Sequence, residues 1–210
     1  MKQERTLSIE GKEYTLLISD EPQALLEAKA SGRAVLGCLD TGNGEGASRD
    51  FQGIPYVVPS MEYVTEELLE LILRRYLGLP WLIDETERLY IREFVKEDAE
   101  NIPEEEYGKE EEIFRDPDKL EVYIKNQYGF YEYGTWAVLK KSPSLLIGMA
   151  GVSNPNLPET ALQALPTLPD DLCWLELGYH IFKPYRKNGY ATEAAKAILS
   201  YSHEVLSARL

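Results

Sequence analysis

Tyr185-Arg-Lys-Asn-Gly-Tyr-Ala-Thr-Glu-Ala194 follows an alternating, strand-like run, Trp174-Leu-Glu-Leu-Gly-Tyr-His-Ile-Phe182, and opens an apolar, helix-like segment. A glycine-permissive turn that feeds a helix start leaves several backbone N–H groups without intrahelical partners. It also presents the positive end of the helix dipole. A turn of this layout can hold a pyrophosphate without any lysine.

The spacing Arg186-x-x-Gly189-x-Ala191 resembles the acetyl-CoA signature of the GNAT N-acetyltransferase superfamily. Leu175-Glu-Leu-Gly-Tyr-His-Ile181, Pro184-Tyr185 and the continuation Ala191-Thr-Glu-Ala-Ala-Lys196 resemble the branch that acetylates ribosomal-protein N-termini and related amines. The likeness is continuous from Thr86-Glu-Arg-Leu-Tyr-Ile-Arg-Glu-Phe94 onward. It implies an α+β mixed sheet of GNAT type over residues 81–210, acetyl-CoA as co-substrate, no metal, and a small amine or peptide N-terminus as acceptor.

By the same resemblance, the N–H groups of Arg186, Lys187, Asn188, Gly189, Tyr190 and Ala191 would hold the pyrophosphate. The strand end at His180, Ile181 and Phe182 would pair with the pantetheine arm through its main chain. Glu176 is the candidate general base, acting through water, against the alternative of an outward-facing strand carboxylate. His180 and His203 could titrate near neutrality, although a lone histidine is more often structural.

Around this core the pattern reads as follows. Residues 96–101 suggest a helix, and 117–128 a second one with Leu120, Tyr123, Ile124 and Tyr128 as its buried stripe. Trp136-Ala-Val-Leu139 and Leu145-Leu-Ile-Gly-Met-Ala-Gly-Val152 read as an antiparallel pair. A proline-rich connector spans 154–171. Tyr128, Phe130, Tyr131 and Tyr133 could line a pocket or pack into a core. The last helix, with Ala194, Ile198, Tyr201 and Val205 on one face and Leu199 and Leu206 alongside, is expected to run almost to Leu210. The family pattern continues with further strands and a helix, so the domain is expected to be C-terminally incomplete. Its fourth strand would then expose an edge that a second copy could cover.

A pattern break near Gly78-Leu-Pro-Trp81 separates residues 1–80 as a small Rossmann-like α/β unit. Tyr14-Thr-Leu-Leu-Ile18, Ala34-Val-Leu-Gly-Cys38 and Ile54-Pro-Tyr-Val-Val58 read as strands of a parallel sheet. They alternate with helices from about Glu21 to Ala30 and from Val64 to Tyr76. The segment from Leu17 to Gly37 weakly resembles the closing part of a haloacid dehalogenase core. The Asp-x-Asp nucleophile strand of such hydrolases is missing, and Asp116-Pro-Asp118 follows no apolar strand. Asp20 and Glu21 are read as helix-start residues, and Gly42, Gly44 and Gly46 as a connector.

A net charge of −14 argues against nonspecific binding to nucleic acid or anionic membranes and for cationic partners. The acids crowd at Glu97, Asp98, Glu100, Glu104, Glu105, Glu106, Glu110, Glu111 and Glu112, either as a solvated surface or as a funnel for an amine. Cys38 and Cys173 have neither disulfide nor zinc spacing and are expected to be buried thiols. No apolar run of membrane-spanning length or signal-like start occurs, so a cytoplasmic protein is expected. Two functions are consistent with these features, an acetyl-CoA-dependent N-acetyltransferase and a non-catalytic acyl-CoA-binding or interaction module.

Overall fold

The computed structural model describes residues 1–40, 50–106, 109–167, 169 and 172–210. Gly42, Gly44 and Gly46 lie outside the described residues, as do Tyr107 and Gly108 in the acidic segment and Asp170 and Asp171 at the end of the connector. The chain forms two compact units, Met1–Leu79 and Pro80–Leu210.

In the first unit, β1 (Lys2–Ile9) and β2 (Lys12–Ser19) form an antiparallel hairpin. Glu10 and Gly11 close it at φ +50° and +79°, and two positive φ values in succession suit a two-residue hairpin turn. α1 (Pro22–Ala30) starts on a proline, whose missing N–H would have had no intrahelical partner. β3 (Ala34–Asp40) then pairs parallel with β2, and β4 (Val57–Ser60) parallel with β3. α2 (Glu66–Tyr76) is capped by Thr65, whose Oγ1 accepts from the Leu68 N–H at 3.1 Å. Alternation along β2 and β3 sends Leu16, Ile18 and Leu36 toward the α2 residues Leu69, Ile72 and Leu73. Leu17 and Val35 meet Leu25 and Ala28 of α1 on the other face.

Two expectations for this unit are corrected. The sheet is not wholly parallel, because β1 adds an antiparallel edge strand in which only Ile9 is buried, too thin a stripe to show as alternation. The third parallel strand starts at Val57 rather than Ile54, since the Ile54 N–H closes a turn onto the Phe51 carbonyl and its side chain packs beside α1.

The second unit is built on a five-stranded antiparallel sheet. Its strands are β5 (Leu82–Glu85), β6 (Leu89–Arg92), β7 (Thr135–Lys140), β8 (Leu145–Ser153) and β10 (Glu176–Ile181), in the order β10-β8-β7-β6-β5. Thr86, Glu87 and Arg88 therefore lie in a hairpin turn rather than in the strand expected from Thr86 to Phe94. Lys96–Asn101 forms 3₁₀ turns instead of an α-helix. Asp98 is held there by a bidentate pair with Arg92 at 2.7 and 2.9 Å and by the Val95 N–H at 2.9 Å.

α3 (Pro117–Tyr123) is capped by Asp116, whose Oδ1 accepts from the N–H groups of Asp118 and Lys119. It widens into a π-turn at Ile124–Tyr128 and ends in the single turn α4 (Gly129–Tyr131). The widening carries Tyr128 into the core, where its hydroxyl donates to the Thr135 carbonyl and accepts from the Phe94 N–H. Phe130 and Tyr131 face solvent. One short turn, α5 (Glu159–Leu162), interrupts the connector.

The two sheet faces bury different sets. Trp136, Val138, Ile147, Ala150 and Ile181 pack against Ala194, Ala197 and Ile198 of α6 (Tyr190–Glu204). Phe94, Ala99, Leu120, Ala137, Met149 and Phe182 fill the other side. α6 stops at Glu204, short of the expected run to Leu210, and leaves Leu199 and Val205 exposed. Ala208 and Arg209 form β11, which pairs parallel with β9 (Cys173–Trp174). The strand entering from Cys173 is thus covered at its start, where the Leu175 N–H reaches the Arg209 carbonyl at 2.8 Å. Among the described residues it pairs from Glu176 on only with β8, and no strand lies along its other edge. Cys38 is buried as expected, whereas Cys173 is exposed. Among the described residues no helix is long and apolar enough to cross a membrane.

Candidate active site

The open edge of β10 and the start of α6 converge on one cleft of about 540 Å³, lined by Tyr179, Ile181, Arg186, Gly189, Tyr190 and Ala191 among others. A neighbouring hollow of about 560 Å³ shares Tyr179, Ala191 and Thr192 and runs along α6 to Lys196 and Leu199. Both volumes are in the range of small-molecule sites.

Strand alternation decides which amides face the cleft. The Phe182 N–H donates to the Ile147 carbonyl at 2.8 Å and its carbonyl accepts from Tyr185, so its main chain is not available to a ligand. His180 lies in register with Met149 of β8 and points its carbonyl toward Gly148 on that same inner edge. The residues between them turn the other way, as shown by the Ile181 carbonyl accepting from Arg186 Nε at 2.7 Å. Of the three strand-end residues expected to pair with a pantetheine arm, only Ile181 has the right parity. Tyr179 joins it, and Phe182 contributes a side chain sealed in the opposite core.

Between strand and helix the chain makes a 3₁₀ turn at Lys183–Tyr185 and then two left-handed residues, Lys187 at φ +61° and Gly189 at φ +80°. Asn188 closes the turn by donating from Nδ2 to the carbonyls of Tyr185 and Arg186. Gly189 is the N-cap and offers no side chain to the helix. The Glu193 N–H makes the first intrahelical bond, to the Gly189 carbonyl, so the amides of Tyr190, Ala191 and Thr192 have no partner within the helix. This is a donor set suited to phosphate oxygens, with the helix dipole behind it.

Glu193 in that first turn would oppose an anion were its charge not tied elsewhere. Its carboxylate accepts from Thr86 Oγ1 at 2.6 Å, the Arg88 N–H at 3.0 Å and Arg88 Nε at 2.7 Å. Arg88 also donates to the Asn188 carbonyl at 3.0 Å and lies 4.6 Å over the Tyr190 ring. Burial alone would raise the Glu193 pKa, but these bonds and the guanidinium outweigh it and hold it below the ordinary carboxylate value. With the folded value depressed, the tether stabilises above the unfolded carboxylate pKa and is lost as pH falls through the folded one. All three tryptophans, Trp81, Trp136 and Trp174, are in the second unit, so their fluorescence follows its unfolding. Glu193→Gln is expected to unfold more readily than wild type at neutral pH and to show a smaller further loss on acidification. Parallel acid profiles would remove Glu193 from this role.

On the other flank of the turn, Glu106 reaches in from the acidic segment with a side chain only 4% exposed. It accepts from the Lys183 N–H at 2.6 Å and Arg186 Nη2 at 2.7 Å, and it meets His180 Nε2 at 3.1 Å. Burial works against its ionisation, but the Lys183 N–H, His180 and Arg186 prevail and keep its pKa below the ordinary value.

Glu176 sits exposed at the far end of β10, its Oε2 accepting from the Asn156 N–H at 3.1 Å. His203 is exposed near the end of α6 and stands apart from the cleft-lining residues. Lys187 is exposed beside the cleft. The structure therefore brings Ile181, Arg186, Lys187, Gly189, Tyr190 and Ala191 around one cleft, with Asn188 buttressing the turn. Sequence reasoning missed Arg88, Thr86 and Glu193 as the tether and did not separate Glu106 from its acidic neighbours. Among the described residues no cluster of three or more His, Cys, Asp or Glu side chains could hold a metal ion.

An edge strand, a left-handed glycine and a helix start whose first amides lack intrahelical partners together suit a phosphate-bearing ligand with an extended, amide-bearing arm. The family model described as acetyltransferase (GNAT) domain matches residues 88–209, and the chain belongs to that family, whose members transfer acetyl groups from acetyl-CoA. Among solved structures the chain is similar to a GNAT-family acetyltransferase from Bacillus anthracis, at 20% identity over 59% of this chain and 68% of that one, TM-score 0.40. It is also similar to an acetyltransferase from Agrobacterium tumefaciens, at 21% identity over 59% and 67%, TM-score 0.37. A ribosomal-protein-S5-alanine acetyltransferase from Vibrio fischeri matches at 15% identity over 61% and 69%, TM-score 0.43. A search of curated proteins finds no significant match.

Proposed function

We propose that this chain acetylates a primary amine, either a small amine or a peptide N-terminus, with acetyl-CoA as donor. The observation that supports this reading is the meeting, in one cleft, of the outward-facing amides of Tyr179 and Ile181 with the amides of Tyr190, Ala191 and Thr192, which have no partner within the helix. Strand-edge amides match the amide-bearing arm of the donor, and helix-start amides match its pyrophosphate. Bound acetyl-CoA supplies an electrophilic thioester carbonyl.

The residues of the chain then divide the work. The Tyr179 and Ile181 edge orients the arm along β10 and excludes water from that side. A free amine must attack, so the acceptor ammonium has to lose a proton. Glu176, roughly 10 Å along the strand from Tyr179 at the usual rise per residue, would receive it through water. The C–N bond forms as the C–S bond breaks, the nitrogen gives up its second proton to solvent water, and the leaving thiolate takes one proton from solvent. Exposed carboxylates at Glu104 and Glu105, on the segment that Glu106 anchors, favour approach of a cation.

The test is acetyl-CoA-dependent thiol release with a panel of primary amines. Wild type is expected to turn over, and Glu176→Gln to lower kcat about a hundredfold with little change in KM for acetyl-CoA. Unchanged kcat would take Glu176 out of the chemistry. No thiol release with any amine would defeat the reading.

A further inference from the structure

We propose that Glu106 is a positioning residue for the cofactor turn, an internal carboxylate that sets the geometry of the Lys183–Gly189 segment before acetyl-CoA arrives. The inference rests on the acetyl-CoA reading and deepens it. Its basis is the placement of a carboxylate whose side chain is little exposed to solvent and whose hydrogen-bonding partners, among the described residues, lie on the end of the cofactor strand and the turn after it.

Three features give that placement a consequence for binding. First, the Lys183 N–H follows those of Tyr179 and Ile181 in the row of outward-facing amides. Glu106 occupies it, so the pairing edge ends there and the chain is released into the turn. Second, Arg186 is gripped at both ends of its fork, Nε on the Ile181 carbonyl and Nη2 on Glu106. Its Nε and Nη2 are thereby committed to the protein, and the larger part of holding phosphate falls on the backbone amides. Arg186 in this arrangement shapes the turn, and its charge balances that of Glu106 so that the carboxylate does not repel an incoming anion.

Third, the turn contains two left-handed residues, one of them the non-glycine Lys187, a conformation that persists only where its surroundings hold it. Glu106 holds the near side through Lys183 and Arg186. Arg88 holds the far side through the Asn188 carbonyl. With the near anchor gone, the turn would sample other conformations, and the donor would bind only the fraction in which the amides converge.

The experiment is titration of the full chain with CoA, together with steady-state kinetics against acetyl-CoA. Glu106→Gln keeps the shape but loses the charge that holds Arg186. It is expected to raise both Kd for CoA and KM for acetyl-CoA about tenfold, with kcat at saturation within twofold of wild type. Glu106→Asp, which retains the charge on a shorter arm, is expected to recover part of that loss. Glu13→Gln, at an exposed position on β2 of the first unit, should bind as wild type does. A side chain that serves stability alone would lower the unfolding midpoint while leaving Kd and KM of the folded fraction unchanged, and that result would overturn the proposal. If wild type itself binds no CoA, the acetyl-CoA reading falls and this inference with it. If wild type binds and Glu106→Gln binds equally well, only the role of Glu106 falls.

Discussion

Replacing Gly148 with alanine is expected to destabilise the second unit by about 3 kcal/mol or more, the upper range for overpacking a close-packed site. A Cβ at this position would lie 2.3 Å from the His180 carbonyl oxygen and 2.9 Å from the Ile181 Cα. Both are backbone atoms of β10, so no side-chain rotation relieves the clash. The strand must move off β8 or the sheet must open. Because β10 is also the edge that faces the cleft, loss of CoA binding should accompany the loss of stability. Denaturant unfolding followed by tryptophan fluorescence reads the effect in the second unit. Gly178→Ala on β10 is the control, since a Cβ there meets nothing within 4 Å and should shift the midpoint little. An unchanged midpoint for Gly148→Ala would refute the close β8–β10 packing.

The second large effect is expected at Gly189. Its φ of +80° suits glycine and strongly disfavours a β-branched residue, and a Cβ there would also press on Arg88 Nη2 at 3.3 Å. Strain of this kind costs about 1–3 kcal/mol. Valine would shift the turn toward right-handed conformations and scatter the amides of Tyr190, Ala191 and Thr192. Gly189→Val is therefore expected to weaken CoA binding on the order of tenfold to a hundredfold, read by titration. Gly189→Asn should lose less, because asparagine tolerates the left-handed region. Wild-type affinity in the valine variant would mean that the ligand does not use this turn.

These two glycines differ in how far the sequence announces them. Gly189 stands in a local pattern, a strand-like run, a turn and an apolar helix, and that pattern identifies both its conformation and its place beside a phosphate. The β7–β8 hairpin was legible for the same reason, since its alternation and its turn lie within a few residues of each other. Gly148 carries no such signal, because what makes it indispensable is a backbone more than thirty positions away. β1 escaped notice because an edge strand with one buried residue shows almost no alternation. The sequence pattern of the last helix outruns the helix itself because its apolar positions continue past Glu204, where Leu206 and Ala208 turn to pack into the core of the second unit instead.

The same division runs through the site. The sequence by itself determined the family motif, the turn and the candidates Arg186 to Ala191, all properties of neighbouring residues. Only the tertiary structure decided which amides of β10 face the cleft, because that parity is set by register against β8, and a shift of one residue would have exchanged Phe182 for Ile181. It alone singled out Glu106 from the surrounding acids and Glu193 from its helix. A carboxylate is defined by the donors around it, and those donors come from residues 74–80 and 105–107 positions away.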